Sequence, residues 1–174
     1  AMSGYTIDKN TIYKQIKNLC AGEYLLFKSN KIVVDYFFKW RPWINYKETN
    51  FNPNKLFKIN KSIILKLINS CKGRQIVVPL SAGWDSRFIV SGLKYFNYKK
   101  VICVTYGKKN STDMIIANKI SRSLKYPWMP IIYNKSEIRK TYKSEKYQKY
   151  KRYCDNLNSI YFMGEYYMLE AIRK

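Results

Sequence analysis

Three short apolar runs, separated by segments of helical periodicity, constrain the fold of this chain more than any other feature. The runs are Ile76–Leu80, Val101–Tyr106 and Met129–Tyr133. None shows the alternation of polar and apolar residues that is typical of a strand with one face in water. Strands of this kind, alternating with helices, form a parallel sheet that is covered on both faces. We therefore expect an α/β domain with a doubly wound parallel sheet.

Helical spacing of apolar residues marks the segments between these runs. A first helix is predicted to end near Gly73 and to carry on its inner face Leu56, Ile59, Ile63 and Leu67. A second helix has on one side Ile89, Leu93 and Phe96. Thr112–Leu124 is predicted to be a third helix, and Ser136–Lys174 is predicted to be helical and basic.

The first part of the chain has a different pattern. Thr11–Leu19 has apolar residues at helical spacing after Asn10, a plausible N-cap, and is predicted to be a helix. Two β-rich runs, Glu23–Lys28 and Ile32–Phe38, flank Ser29-Asn30-Lys31 and predict a hairpin. Arg41–Pro53 is rich in Asn and contains two prolines, which favours a linker.

The composition excludes several chemistries. The chain has no His, so a Ser-His-Asp triad, a Cys-His dyad and a His-ligated metal are impossible within it. Its four cysteines are widely spaced and form no zinc-binding pattern. The charge-free stretch Gln75–Trp84 is far shorter than the ~20 residues of a membrane-spanning helix. We expect a cytoplasmic protein with no membrane partner.

The net charge is strongly positive. The 174 residues include 33 Lys and Arg against 11 Asp and Glu, which gives +22. The lysines are scattered along the chain, and the densest basic run is Lys143–Arg152. Such a run is either a solvated helix face or a contact for a polyanion such as RNA or an acidic protein. We therefore expect nucleic-acid binding to be non-specific where it occurs.

The segment that follows the first apolar run carries the chemistry. A predicted strand ends at Leu80, the tight turn 81–86 (SAGWDS) follows, and a helix begins at once. The free N–H groups at such a helix start favour anions, and the small residues of the turn allow phosphate oxygens to approach. Asp85 would repel a bare phosphate, so its presence favours a magnesium ion between carboxylate and phosphates. Alternatively, Asp85 or Ser86 simply caps the helix.

These residues resemble a known family. LSAGWDSR, residues 80–87, is similar to the Ser-Gly-Gly-x-Asp-Ser pyrophosphatase loop of asparagine-synthase-like proteins, which cleave ATP between its α- and β-phosphates. Gly4–Trp40, with Ala21-Gly22-Glu23 before the hairpin, resembles the end of the glutaminase domain in those proteins. Cys103–Asp113 resembles their second strand and the loop after it.

The resemblance implies a fold, a ligand and a set of site residues. The fold is that of the adenine nucleotide alpha-hydrolases, with residues 1–45 as the end of a glutaminase-type domain and 46–174 as the first part of the ATP-binding domain. The ATP site is lined by Leu80, Ser81, Gly83, Asp85, Ser86 and Tyr106. Asp85 holds Mg²⁺, and the backbone at Tyr106 meets adenine. Ala82 replaces a Gly of the loop, which requires a negative φ at this position.

The expected function is that of an asparagine-synthase-like, ATP-dependent amide-forming ligase. A carboxylate substrate, either aspartate or a sugar acid, is adenylated with release of pyrophosphate, and ammonia from glutamine then forms the amide in the full enzyme. The chain lacks a counterpart of the family's later acidic loop, and Met163-Gly164-Glu165 is not expected to take that role. Two alternatives remain, a tRNA-modifying enzyme with the same loop and a catalytically incomplete fragment that binds nucleotide or a protein partner.

Overall fold

The computed structural model describes residues 5–41, 51–154 and 162–173. The chain divides into two units, Ala1–Asn50 with Lys151–Tyr161, and Phe51–Tyr150 with Phe162–Lys174. The boundary predicted between residues 45 and 46 lies outside the described residues, as does most of the linker predicted over Arg41–Pro53.

The predicted hairpin is confirmed. Strands β1 (Glu23–Lys28) and β2 (Lys31–Tyr36) pair antiparallel, with Lys28 opposite Lys31. The connection is thus two residues long, not three, and both Ser29 and Asn30 have positive φ, at 50° and 59°. Positive φ at both central positions is the geometry that matches the twist of paired strands.

The helix predicted over Thr11–Leu19 is wrong. The segment has turns and an isolated antiparallel bridge between Asn10 and Lys17 in place of a helix. The Thr11 hydroxyl donates to the carbonyl oxygen of Ile16 at 2.8 Å, and the Asn10 side chain bonds both Ile7 and Lys17. Such side-chain bonds compete with helical hydrogen bonds, and apolar spacing alone does not reveal them.

The second unit begins with α1 (Pro53–Cys71), capped by the Asn52 side chain, which accepts from the Lys55 N–H at 3.0 Å. The predicted helix is confirmed, but its predicted inner face is wrong in part. Ile64 is the buried residue, whereas Leu56, Ile59 and Ile63 are nearly half exposed. Position 92 explains the difference, because a β-carbon there would lie 2.7 Å from Ile64 Cγ1. A glycine at 92 therefore admits Ile64 and sets the packing face.

A three-stranded parallel sheet lies at the centre of this unit. Its strands are β3 (Ile76–Pro79), β4 (Val101–Gly107) and β5 (Trp128–Ile132), in the order β3-β4-β5. Two helices connect them, α2 (Trp84–Tyr95) and α3 (Thr112–Leu124). The mixed α/β class and the parallel sheet are therefore as predicted. The core is made by Val78, Leu80, Val90, Leu93, Val101, Cys103, Ala117 and Tyr126.

Three helices follow the sheet, α4 (Lys135–Lys143), α5 (Glu145–Tyr153) and α6 (Met163–Ile172). The helical character predicted for Ser136–Lys174 is confirmed where the structure describes it, and residues 155–161 and 174 lie outside that description. Both α3 and α6 contact β4 and β5. Aromatic contacts hold α6 in place, including a stacked pair of Tyr133 and Tyr167 with ring centroids 4.6 Å apart.

In the described residues, none of the helices combines the length and the apolar character that crossing a bilayer requires.

Candidate functional site

The carboxyl ends of β3 and β4 border a cavity of about 280 Å³. This edge is where ligands bind in open parallel sheets, because the loops that follow neighbouring strands meet there. The cavity is lined by Pro79, Leu80, Ser81, Val104, Thr105, Tyr106, Asp113 and Phe162. Three of the predicted site residues, Leu80, Ser81 and Tyr106, therefore lie around one space.

Hydrogen bonds of two serine side chains hold the loop after β3 in its conformation. The Ser86 hydroxyl accepts from the Ser81 N–H at 3.1 Å, and the two hydroxyl oxygens are also 3.1 Å apart. The Gly83 N–H donates to the Ser81 hydroxyl oxygen at 3.1 Å. Ser81, Gly83 and Ser86 are thus joined in one network of hydrogen bonds, although only Ser81 lines the cavity.

A carboxylate from the next helix also contacts this loop. Asp113, in the first turn of α3, accepts from the Ala82 N–H at 2.7 Å. The backbone at Ala82 has a negative φ, so an L side chain fits where the resembling loop has Gly. Asp113 is thus both the acidic residue in the first turn of α3 and a hydrogen-bond partner of the loop.

Helix α2 begins at the loop without a side-chain cap. Its N-cap is Gly83, and neither Asp85 nor Ser86 caps it. The Arg87 guanidinium lies 4.8 Å from the ring centroid of Trp84 and donates to the Ala82 carbonyl oxygen. Free N–H groups of the first helical turn thus remain beside the loop.

The predicted metal ligand lies apart from the cavity. Asp85 is exposed and lines an open groove on α2 together with Trp84, Ser86 and Arg87. In the described part of the chain, three or more His, Cys, Asp or Glu side chains nowhere gather closely enough to hold a metal ion. Asp85 is therefore an exposed carboxylate beside the loop that belongs to no such ligand cluster.

The end of β4 is tied to β3 and β5 by side chains. The Thr105 hydroxyl donates to the Leu80 carbonyl oxygen at 2.8 Å and accepts from the Trp128 indole N–H at 2.9 Å. Tyr106 follows, and burial, together with the nearby charge of Glu165, raises the pKa of its hydroxyl. The hydroxyl of Tyr106 therefore stays protonated and neutral at physiological pH.

Two residues of the site were not assigned to it from the sequence. Asp113 lies at a helix start, where acids are common for electrostatic reasons alone. Phe162 comes from the start of α6, in a segment without a recognisable motif. The sequence shows only an aromatic residue followed by Met-Gly at the start of a predicted helix. This pattern does not indicate which strand of the sheet the helix packs against.

Neither a protein-family model nor a curated protein matches the chain. Support for its function therefore comes from the loop, the cavity and the residues that line them.

Proposed function

We propose that this chain is the nucleotide-binding part of an asparagine-synthase-like, ATP-dependent amide-forming ligase. The observation that carries the proposal is the segment Ser81–Ser86, which resembles a pyrophosphatase loop in sequence. It follows the end of β3 and runs into the first turn of α2, which begins at Trp84. A loop of small residues at this place in a parallel sheet is suited to phosphates.

The proposal includes the doubly wound fold of the adenine nucleotide alpha-hydrolases. In support, the strand order β3-β4-β5 follows the sequence, as in one half of such a sheet. The strands that α2 and α3 connect are parallel neighbours in one sheet, and connections of this kind are right-handed in nearly all known proteins. Two helices, α3 and α6, each contact both β4 and β5. This is consistent with helices on both faces of the sheet.

The loop binds the phosphates of ATP in this proposal. The first-turn N–H groups of α2 and the positive end of its dipole attract them. The hydroxyls of Ser81 and Ser86 lie 3.1 Å apart and can turn toward phosphate oxygens as donors. The Ala82 N–H becomes available to phosphate when it leaves the Asp113 carboxylate.

A magnesium ion fits this site only together with the nucleotide. Mg²⁺ commonly binds through one or two carboxylates, waters and substrate phosphates, and does not need a cage of protein ligands. Asp85 supplies one exposed carboxylate at the helix start, so it would hold Mg²⁺ against the phosphates. The ion's contribution when bound is to neutralise phosphate charge.

The reaction of the full enzyme is adenylation followed by amidation. An oxygen of the carboxylate substrate attacks the α-phosphorus, the bond to the β-phosphate oxygen breaks, and pyrophosphate leaves. Ammonia, released from glutamine, then attacks the acyl carbon and displaces AMP. The loop of this chain contributes by binding and orienting the phosphates, and the substrate is aspartate or a sugar acid. A cytoplasmic location suits a reaction that consumes ATP.

One observation favours a second candidate, a fragment that binds nucleotide without completing the reaction. In the described residues, Asp85 belongs to no group of three or more His, Cys, Asp or Glu side chains that could hold a metal ion. Nucleotide binding without turnover is the outcome that distinguishes this candidate from the ligase.

The test is the magnesium dependence of ATP binding by the full chain and by Asp85→Asn. The wild type should bind ATP more tightly with Mg²⁺ than without it, and Asp85→Asn should lose this difference while keeping its thermal stability. The matched control is Glu145→Gln, which removes an exposed first-turn carboxylate from α5. A wild type that binds no ATP would overturn the proposal. A variant that is less stable but keeps its magnesium dependence would show that Asp85 has a structural role.

A further inference from the structure

The second strand of the hairpin has an outer edge with which no other strand pairs in the described residues. The hairpin is a two-stranded sheet, and all six residues of β2 are exposed. Ile32 is 66% exposed and Val33 is 50% exposed, although such residues usually lie inside a protein. A two-stranded hairpin is only marginally stable by itself in water, and an exposed apolar edge strand is a template for another strand. The outer edge of β2 is therefore suited to binding a further strand.

The register of the hairpin shows which backbone groups lie on this outer edge. In an antiparallel pair, residues that exchange hydrogen bonds with the opposite residue alternate with residues whose N–H and C=O point away. The two-residue connection makes Lys28 and Lys31 a bonded pair, so the next bonded residue of β2 is Val33. The N–H and C=O groups of Ile32 and Val34 therefore point toward the outer edge.

Two charged residues of β2 have a spacing that is complementary to a second copy of the same strand. Lys31 and Asp35 lie on one face of β2, two positions to either side of Val33. Asp35 Oδ1 accepts from the Tyr36 N–H at 2.8 Å, which holds the carboxylate close to the outer edge. When two copies of β2 pair antiparallel about a two-fold axis at Val33, Lys31 of each copy lies opposite Asp35 of the other.

This register suits the backbone as well as the charges. Ile32 of one copy faces Val34 of the other, and both have outward N–H and C=O groups, so they form a bonded pair. Val33 meets Val33 as a non-bonded pair on the axis. With the axis at Ile32 or Val34, neither charge faces its opposite. With the axis at Lys31 or Asp35, two like charges face each other.

The outer edge of β1 has no such complementarity. Its charged residues, Glu23 and Lys28, are five positions apart. A register that sets one opposite the other would therefore oppose outward backbone groups to inward ones, and no ladder would form. The Glu23 side chain is also 1% exposed and is paired with Lys9. This leaves β2 as the edge that can pair with a second copy.

We infer that β2 is a self-association edge, on which a second copy of this chain pairs its own β2 antiparallel to give a four-stranded sheet. The contact uses the same surface on both copies, so it closes at a dimer. Cross-strand pairs of opposite charge and of β-branched residues both stabilise a sheet. The net charge of +22 opposes association, but physiological salt, with a Debye length of about 8 Å, screens much of it. Self-association through β2 is independent of the proposed nucleotide site.

The experiment measures the mass of the full chain over a range of concentrations by sedimentation equilibrium at physiological salt. The wild type should show a monomer–dimer equilibrium. Lys31→Glu sets two carboxylates opposite each other at both ends of the pairing, and Asp35→Lys sets two ammonium groups there. Each variant should raise the Kd of the dimer by about 10-fold or more, because two favourable pairs become two like-charge pairs.

A mixture of the two variants tests the register directly. In a heterodimer of Lys31→Glu with Asp35→Lys, one copy has carboxylates at both positions and the other has ammonium groups at both. Both cross-strand pairs are then again opposite in charge, so the equimolar mixture should associate with nearly wild-type affinity. Lys14→Glu is the matched control, because it makes the same charge change at an exposed lysine outside the hairpin. It should leave the Kd of the dimer unchanged.

Three results would overturn the inference. A wild type that is monomeric at every concentration shows that β2 does not bind a second copy. A dimer that neither single variant weakens forms through another surface. A mixture that associates no better than the single variants shows that β2 does not pair in the register centred on Val33. Amide NMR signals of the hairpin verify that each variant keeps its fold.

Discussion

The carboxylate of Asp113 accepts a hydrogen bond from the backbone N–H of Ala82 over 2.7 Å, although the two residues are 31 positions apart in sequence. Ala82 belongs to the loop after β3, and Asp113 lies in the first turn of α3, after β4. The bond therefore fixes the loop against the element that follows the neighbouring strand. Since the same N–H is a candidate phosphate donor, Asp113 holds the loop in shape and occupies one of its anion contacts.

Removal of the Asp113 carboxylate should release the loop. We expect Asp113→Ala to accelerate hydrogen exchange of the Ala82 amide by about 5- to 10-fold, since a hydrogen bond contributes about 1 kcal/mol net. Asp113→Asn keeps an acceptor oxygen and should retain most of the protection. Glu137→Gln, which alters the first-turn acid of α4, should leave the Ala82 amide unchanged. Equal exchange in wild type and Asp113→Ala would show that the bond does not form in solution.

The Ser86 hydroxyl should contribute to the stability of the unit that contains the loop. It bonds both the N–H and the hydroxyl of Ser81, so its loss leaves two polar groups without this partner. We expect Ser86→Ala to lower the free energy of unfolding by about 1 kcal/mol, as for loss of a partly buried hydrogen bond. Ser91→Ala, at an exposed position on the same helix, should have almost no effect. Urea denaturation of both variants measures the difference, and equal losses would contradict the assigned network.

The fold was predictable where local signals and tertiary packing agree. Thr112–Leu124 is a helix with the predicted bounds, because its apolar spacing coincides with a cap, the Ser111 side chain, at its start. Thr11–Leu19 shows the opposite case. There the same kind of spacing is overridden by hydrogen bonds from Asn10 and Thr11 to nearby backbone, and the apolar side chains stay exposed. Which face of α1 is buried depends on Gly92 of α2, which leaves space for Ile64. The spacing of apolar residues within α1 carries no information about this contact.

The site was predictable only as far as a contiguous motif defines it. The sequence predicts a turn over residues 81–86 at the end of a strand. The structure has a turn there, but it is shorter than predicted, because α2 already begins at Trp84. The contact of Asp113 with Ala82 and the position of Phe162 at the cavity depend on how distant segments pack. Asp85 lines a groove on α2 and not the cavity. The residues next to it in sequence do not indicate this position.

A separate cluster of polar residues stabilises the start of the hairpin. The Glu23 side chain is 1% exposed, and its Oε1 lies 2.8 Å from Lys9 Nζ. Its other oxygen accepts from the Cys20 N–H at 2.9 Å. The hydrogen bond from Lys9, with those from the Cys20 N–H and the Tyr36 hydroxyl, lowers the pKa of Glu23 to about 2. The carboxylate therefore links the segment before the hairpin to both strands.

The lowered pKa of Glu23 predicts an acid-sensitive hairpin. A carboxyl whose pKa is lower in the folded state stabilises that state above its unfolded pKa, and this contribution is lost as the pH falls toward 2. In Glu23→Gln the hairpin should be less stable than in wild type at pH 6. The difference should shrink between pH 4.5, the ordinary pKa of a glutamate side chain, and pH 2, near the pKa of Glu23 in the folded state. NMR signals of the hairpin amides report this local stability. A difference that is constant over this range would contradict the ionised, bonded state of Glu23.

The charge of +22 predicts that RNA binds without sequence preference and dissociates with salt. Basic proteins release counterions from phosphates on binding, so the affinity falls steeply as the salt concentration rises. For about three phosphate contacts, a rise from 50 to 200 mM salt should weaken binding by roughly 20- to 40-fold, the range between single-stranded and double-helical nucleic acid. Two lysines of α5 already have acidic partners, Lys146 with Glu170 and Lys149 with Glu145, which limits the number of free contacts. A filter-binding titration with tRNA and an unrelated RNA of equal length should give similar affinities at every salt concentration. A preference for tRNA that persists at physiological salt would instead support the tRNA-modifying alternative. In that case the folded shape of the tRNA, and not its charge alone, would determine binding.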